Sequence, residues 1–201
     1  MSLQKIESPR FWIVAGPNGS GKSTLYSETD IEGFGRSVWI INPDLLALRI
    51  SQSEDRPLDV ANREAVIRIE AWLEASISAH QTVGVETVLS TGKYRRLVAA
   101  AKKLGFEFRF IYVMLRSVEM NVERVRLRVE NGGHTVPEDK IRGRRARSLE
   151  QMPWFLEQAD WAAIYDNSGA TLSRVGLKRD GLIQIDPKAP PDLLAALTTA
   201  T

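Results

Sequence analysis

FWIVAGPNGSGKST, running from Phe11 to Thr24, is the stretch on which the reading of this chain turns. Phe11 to Ala15 is a short apolar run of the kind that forms a buried strand. Gly16-Pro17-Asn18-Gly19-Ser20-Gly21-Lys22-Ser23 then satisfies G-x-x-x-x-G-K-[ST] at every defined position, and Thr24 follows. A strand that enters a glycine-rich turn and leaves as a helix aims backbone N–H groups inward at phosphate oxygens. The helix N-terminus adds its positive dipole end. Gly19 and Gly21 supply backbone angles that a side chain forbids. Lys22 brings a point charge for the outer phosphates, and the Ser23 hydroxyl suits a Mg²⁺ ion that keeps several waters. A nucleoside triphosphate is the ligand this pattern calls for.

The rest of the composition narrows the class. The chain has 201 residues, with 43% apolar and 26% charged, enough for one α/β domain with a sizeable core. Cysteine is absent, which excludes disulfides and thiolate metal sites, and two histidines do not make a histidine-rich centre. The first ten residues, MSLQKIESPR, lack the apolar core of a signal peptide, and no apolar run is long enough to span a membrane. A cytoplasmic protein with no membrane partner is the expectation. The net charge of +2 does not by itself call for nucleic acid.

Outward from the loop, the chain alternates strands with helices. A helix follows from Lys22 to about Glu28, then a turn at Gly33-Phe34-Gly35 and a second strand, Ser37 to Ile41. Pro43 suits the first turn of a short helix ending near Ile50, with a polar loop from Ser51 to Pro57. Asp59 to His80 carries apolar residues at three- and four-residue steps. Further strands are expected at Thr82–Thr87, Phe106–Leu115 and Trp161–Asp166, with a helix at Lys93–Leu104 closed by Gly105. Ser117 caps a helix to about Glu130; Val136-Pro137 restarts one to about Leu149, with a break at Pro153. A hairpin turns at Arg179-Asp180-Gly181, and the tail from Pro190 is a short helix or a frayed end. The tryptophans are expected in the core. These elements predict an α/β fold of the P-loop NTPase type, a central mostly parallel sheet with helices on both faces. A single domain, 1–201, is expected, with a mobile basic lid at about 116–150.

Ligands in open α/β sheets sit beyond the carboxyl ends of the strands, so carboxylates just after strands are the candidates for chemistry. Asp44 could take the proton of an acceptor hydroxyl or hold Mg²⁺ through water; it could equally be a first-turn carboxylate that settles a helix dipole. Glu86 could order acceptor hydroxyls or help with the metal, or could be satisfied by an arginine. Asp166 stands at a strand end like a Walker B acid, although Asp166-Asn167-Ser168-Gly169 also has turn chemistry.

The segment from Arg116 to Arg147 holds nine basic and five acidic residues, an excess larger than that of the whole chain. Arg124 and Arg128 share one helix face, and Arg144 and Arg147 another. Arginines reaching over from a lid stabilise the charge spread over a transferring phosphoryl group, and Gly132-Gly133 between them would serve as a hinge. His134 is expected to be structural. No N-K-x-D run of guanine-specific GTPases occurs, nor the apolar run ending in Asp-Glu of motor ATPases. A small-molecule kinase remains. A kinase of nucleic-acid 5′-hydroxyls and a nucleotide-gated binding protein without transferase activity are the alternatives.

Four blocks in this order, GPNGSGKST, NPD, ETVLS and RVRLRVENGGHTVPEDKIRGRRARSLE, resemble the zeta toxin family of P-loop kinases, in its compact branch with a G-G-H-x-V-P lid. The resemblance runs from about Phe11 to Ser168. It implies ATP- and Mg²⁺-dependent phosphorylation of a sugar hydroxyl on a UDP-N-acetylamino sugar, and an antitoxin protein as a possible partner. By position it implies Lys22 and Ser23 on the phosphates and Mg²⁺, Asp44 as general base, and Glu86 with Thr87 on the acceptor. Arg128 and Arg144 would be the charge-stabilising pair, with Arg124 and Arg147 beside them on the substrate. Asn167 would lie near the adenine.

Overall fold

The computed structural model describes residues 8–28, 38–133 and 135–199. The turn at Gly33-Phe34-Gly35, the start of the second strand at Ser37, and His134 lie outside the described residues.

The apolar run becomes β1 (Arg10–Ala15), buried from Phe11 onward, and the glycine-rich loop leads into α1 (Lys22–Glu28). Next come β2 (Ile40–Ile41), α2 (Pro43–Ser53), α3 (Leu58–Ser78) and β3 (Val83–Thr87). Then α4 (Arg95–Lys103), β4 (Glu107–Met114), α5 (Val118–Glu130) and α6 (Glu138–Gln158) follow. The chain closes with β5 (Trp161–Asp166), β6 (Ser173–Arg179), β7 (Leu182–Ile185) and α7 (Pro191–Thr198). Local chemistry sets many of these boundaries. Asn42 caps α2 by accepting from the N–H groups of Asp44 and Leu45, and Ser117 caps α5 by accepting from Met120 N–H. Asp180 and Gly181 both take positive φ, +51° and +77°, the two-residue turn that matches the twist of a hairpin.

The seven strands run in the order β2-β3-β1-β4-β5-β6-β7. The first five are parallel; β6 and β7 are antiparallel additions at one edge. Alternate residues of the central strands face opposite layers. Phe11, Ile13, Phe108 and Phe110 pack with Leu73 of α3, Val98 of α4, Phe155 of α6 and Leu193 of α7. Trp12, Val14, Ile111, Val113 and Trp161 pack on the other face with Leu25 of α1.

Three expectations change. α6 passes Pro153 without a break, because Leu149, Met152, Phe155 and Leu156, on both sides of the proline, are all buried in the core. α2 runs three residues past Ile50, with the Ser53 hydroxyl donating to the Arg49 carbonyl at 2.7 Å. Trp12 and Trp161 meet edge to face in the core, whereas Trp39 is 74% exposed.

Because the five parallel strands share one polarity, their carboxyl ends gather the phosphate loop, Asn42, Glu86, Leu115 and Asp166 at one edge of the sheet. β1, carrying the loop, lies between β3 and β4.

Candidate active site

The loop begins where β1 stops pairing. Gly16 has φ +144°, and a Cβ there would lie 2.0 Å from the Val113 carbonyl oxygen, so only glycine passes. The chain then folds around Lys22. Its ammonium, 7% exposed, donates to the carbonyls of Gly16 at 2.8 Å and Pro17 at 3.1 Å. Burial pushes its pKa below the ordinary lysine value. The Glu86 and Asp44 carboxylates pull it back up, and the Arg128 guanidinium pushes it further down.

Glu86 is the penultimate residue of the strand beside β1, directly opposite Val14. Its Oε2 accepts from the Ser23 hydroxyl at 2.8 Å and from Asn42 Nδ2 at 2.9 Å, and its Oε1 stands 3.8 Å from Lys22 Nζ. A Walker B acid is sought near the hydroxyl of the phosphate loop, and Glu86 is a carboxylate in contact with it. Asp166, which sequence alone made look like that acid, is separated from β1 by β4. Its carboxylate pairs with Arg116 at 2.9 Å and accepts from Ser168 N–H at 3.0 Å, which is turn chemistry.

Three cavities share walls at this edge. The first, about 470 Å³, is lined by Asn18, Gly19, Gly21, Lys22, Ser23, Thr24, Asp44, Glu86, Arg124, Arg128 and Asn167, among others. The second, about 360 Å³, lies on the far side of Glu86, with Thr87, Ser90, Thr91, Lys93 and Arg144. The third, about 420 Å³, is bounded by Asn18, Leu58, Asn62, Arg128, Lys140 and Arg144. Asp44 lines all three, the one described residue to do so. It stands exposed in the first turn of α2, oriented by the Asn42 cap.

Oxygens on the first cavity that could hold a Mg²⁺ ion include the Ser23 hydroxyl and the Glu86 and Asp44 carboxylates. Hard oxygen donors in small number suit an ion that keeps waters and takes phosphate oxygens, so the donor set fits. No group of three acidic or histidine side chains forms a self-sufficient metal site among the described residues.

The arginines divide. Arg124 and Arg128 of α5 reach the first cavity, and Arg144 of α6 reaches the other two. Arg147 is exposed and lines none of these three cavities. Arg145 is 4% exposed and donates to Asn121, to the Leu115 carbonyl and to Asp192. Asn167 is engaged within the protein: its Nδ2 donates to the Ser20 carbonyl at 2.9 Å, and its carbonyl accepts from Arg124 at 2.6 Å. The Thr87 hydroxyl accepts from Leu89 N–H at 3.0 Å and so holds a buried non-glycine residue at φ +60°.

Sequence reasoning missed Asn42, Asn121 and Arg145. The signal for the last two was present: Asn121 is four residues before buried Val125, and Arg145 lies midway between buried Ile141 and Leu149. A polar residue on an apolar stripe has a buried partner to meet.

A parallel five-strand array with the phosphate loop on its middle strand, a carboxylate on the adjoining strand, and arginine-bearing helices over the cavity defines a P-loop kinase-like domain. Residues 11–150 match the AAA_33 family model, an AAA domain, and the chain belongs to that family. An uncharacterized protein of Haemophilus influenzae is 32% identical over 132 residues, which cover 64% of this chain and 87% of that protein. The fold is similar to that of AvrRxo1-ORF1:-ORF2 crystallised with ATP, with a TM-score of 0.71 at 14% identity, over 95% of this chain. This chain spans 64% of the length of that one. It is also similar to a structure of the PezAT chromosomal toxin–antitoxin system of Streptococcus pneumoniae, with a TM-score of 0.63 at 15% identity, over 98% of this chain and 80% of that one. Among the described residues no helix is long and apolar enough to cross a membrane.

Proposed function

We propose that this protein is an ATP-dependent phosphotransferase acting on a hydroxyl group, with a UDP-N-acetylamino sugar as the acceptor. The observation that carries this is the place of Asp44, on the wall shared by the phosphate-loop cavity and the two cavities beyond it. A carboxylate there meets an acceptor hydroxyl brought up to the γ-phosphate. The AvrRxo1 structure crystallised with ATP supports the choice of nucleotide.

In this mechanism the loop amides and Lys22 hold the triphosphate. Asp44 accepts the hydroxyl proton as the acceptor oxygen bonds to the γ-phosphorus and the bond to the bridging oxygen breaks, leaving ADP. Arg128 and Arg144 balance the charge spread over the transferring group, with Arg124 at the nucleotide. Ser23 and Glu86 would hold Mg²⁺, whose positive charge neutralises the phosphate oxygens. Glu86, Thr87 and the second cavity receive the acceptor. The chain acts as a single domain, and because Asn121, Arg145 and Ser148 are buried and Arg145 is tied to the Leu115 carbonyl at the end of β4, closing motion belongs to the turn about Gly132 and not to the whole of 116–150. A cytoplasmic setting supplies the ATP, and the PezAT likeness supports an antitoxin as protein partner.

The test is transfer of labelled γ-phosphate from ATP to a panel of UDP-sugars, nucleosides and oligonucleotides. Labelled UDP-sugar is the expected product. Label on oligonucleotide 5′-ends alone would replace this reading with the nucleic-acid one, and ATP binding without transfer to any acceptor would favour a nucleotide-gated binding protein.

A further inference from the structure

A hydrogen-bonded chain through two buried side chains, Asn121 and Arg145, links the phosphate loop to the C-terminal helix. The Asn18 carbonyl accepts from Asn121 Nδ2 at 2.7 Å. Asn121 Oδ1 accepts from Arg145 Nε at 3.1 Å, and Arg145 Nη1 reaches Asp192 of α7 at 2.5 Å. Asn121 is 0% exposed and Arg145 4%, so the two bonds made by the Asn121 side chain are shielded from water. Arg145 is also anchored to the end of β4 through the Leu115 carbonyl at 2.9 Å. α5 presses so close to the loop that a Cβ on Gly19 would lie 2.9 Å from the Asn121 carbonyl.

The consequence follows from peptide geometry. No described peptide bond is cis, and in a trans peptide the carbonyl of one residue and the N–H of the next point opposite ways. Holding the Asn18 carbonyl toward Asn121 fixes the Gly19 N–H on the opposite side of that peptide, and Gly19 lines the first cavity. Asn167 does the same one step on: by holding the Ser20 carbonyl it fixes the Gly21 N–H on the opposite side of its peptide. Neither glycine N–H meets a protein acceptor among the described residues.

We infer that Asn121, held in place by Arg145 and Asp192, is a positioning residue that orients the Gly19 amide for the triphosphate. The C-terminal helix, which lies outside the family-matching segment, is thereby part of the nucleotide site. This rests on the nucleotide-binding reading above.

The test separates orientation from packing by comparing two variants of the full chain. Asn121→Asp keeps an acceptor for Arg145 but sets a carboxylate against the Asn18 carbonyl, which drives that peptide to turn over. Asn121→Ala leaves Arg145 Nε without its partner, yet leaves the peptide free to stay. ATP affinity, measured by calorimetry with Mg²⁺, is expected to fall about tenfold or more in Asn121→Asp and less in Asn121→Ala. The melting midpoint is expected to fall more in Asn121→Ala. A structural role alone gives the same order for both readouts, and that result overturns the inference, as does Asn121→Asp binding ATP within about twofold of the natural chain. Should neither variant fold, Asp192→Ala at the half-exposed end of the chain is read instead. About a threefold loss of ATP affinity is expected there, and unchanged affinity overturns the link. A natural chain that does not bind ATP overturns the nucleotide reading itself, whereas a binding natural chain with indifferent variants overturns only this inference.

Discussion

The Ser23 hydroxyl donates to Glu86 Oε2 across 2.8 Å, joining the residue after the loop lysine to the end of the adjacent strand. The same carboxylate oxygen holds Asn42, which caps the helix carrying Asp44. One acid therefore ties together the phosphate loop, the candidate metal position and the candidate base. Glu86→Gln keeps the shape and removes the charge. It is expected to lower phosphoryl transfer about a hundredfold and to raise the Mg²⁺ concentration needed for half-maximal rate. A Mg²⁺ titration checks this; an unchanged midpoint would take Glu86 away from the metal.

Asp44→Asn is expected to leave ATP affinity within about twofold and to lower transfer by about a hundredfold or more, as loss of a proton acceptor does. Calorimetry and single-turnover transfer measure the two separately. Transfer at the natural rate would leave Asp44 as a helix-terminus charge.

Among the arginines the outcome depends on where the guanidinium lies. Arg128→Ala and Arg144→Ala are each expected to lower transfer at least about tenfold. Arg147→Ala is expected to change it by less than about twofold, because Arg147 lies exposed away from the three cavities. Steady-state rates of the three variants decide it, and a large Arg147 effect would mean that α6 rotates during turnover.

Burial holds the Lys22 pKa below its ordinary 10.5. Between the lowered value and 10.5 the folded chain binds fewer protons at this site than the unfolded chain, so its contribution to stability rises with pH across that window. An arriving triphosphate favours the charged ammonium and reverses the shift. ATP binding at a pH between the lowered value and 10.5 is therefore expected to take up protons, visible as a dependence of the binding enthalpy on buffer. Lys22→Met should abolish the uptake; the same uptake in that variant would assign it elsewhere.

Gly16→Ala would place a Cβ 2.0 Å from a backbone oxygen of β4, at a φ of +144° that a side chain rarely adopts. Neither backbone can yield cheaply, so a loss of about 3 kcal/mol or more is expected, read from denaturant unfolding. Natural stability would require β4 to move away from the loop.

Much of the framework was legible because the signals are local. An apolar run, a glycine-rich turn and a lysine announce a strand, a loop and a helix within fourteen residues, Phe11 to Thr24. Asn42 and Ser117 mark helix starts through bonds that span three residues or fewer. The choice between Glu86 and Asp166 was not local. Both lie at or next to strand ends, and only the order of the sheet places one beside β1 and the other beyond β4.

By itself the amino-acid sequence determined the phosphate loop, the succession of strands and helices, and the set of charged residues from which the site is drawn, since each depends on neighbours within a turn or a strand length. The tertiary structure decided which carboxylate holds Ser23, which of two consecutive arginines, Arg144 and Arg145, faces a cavity or the core, and that Asn121 reaches the loop at all. Those outcomes rest on contacts between segments as far apart as Asn18 and Asn121, 103 residues, where packing rather than local preference sets the partner.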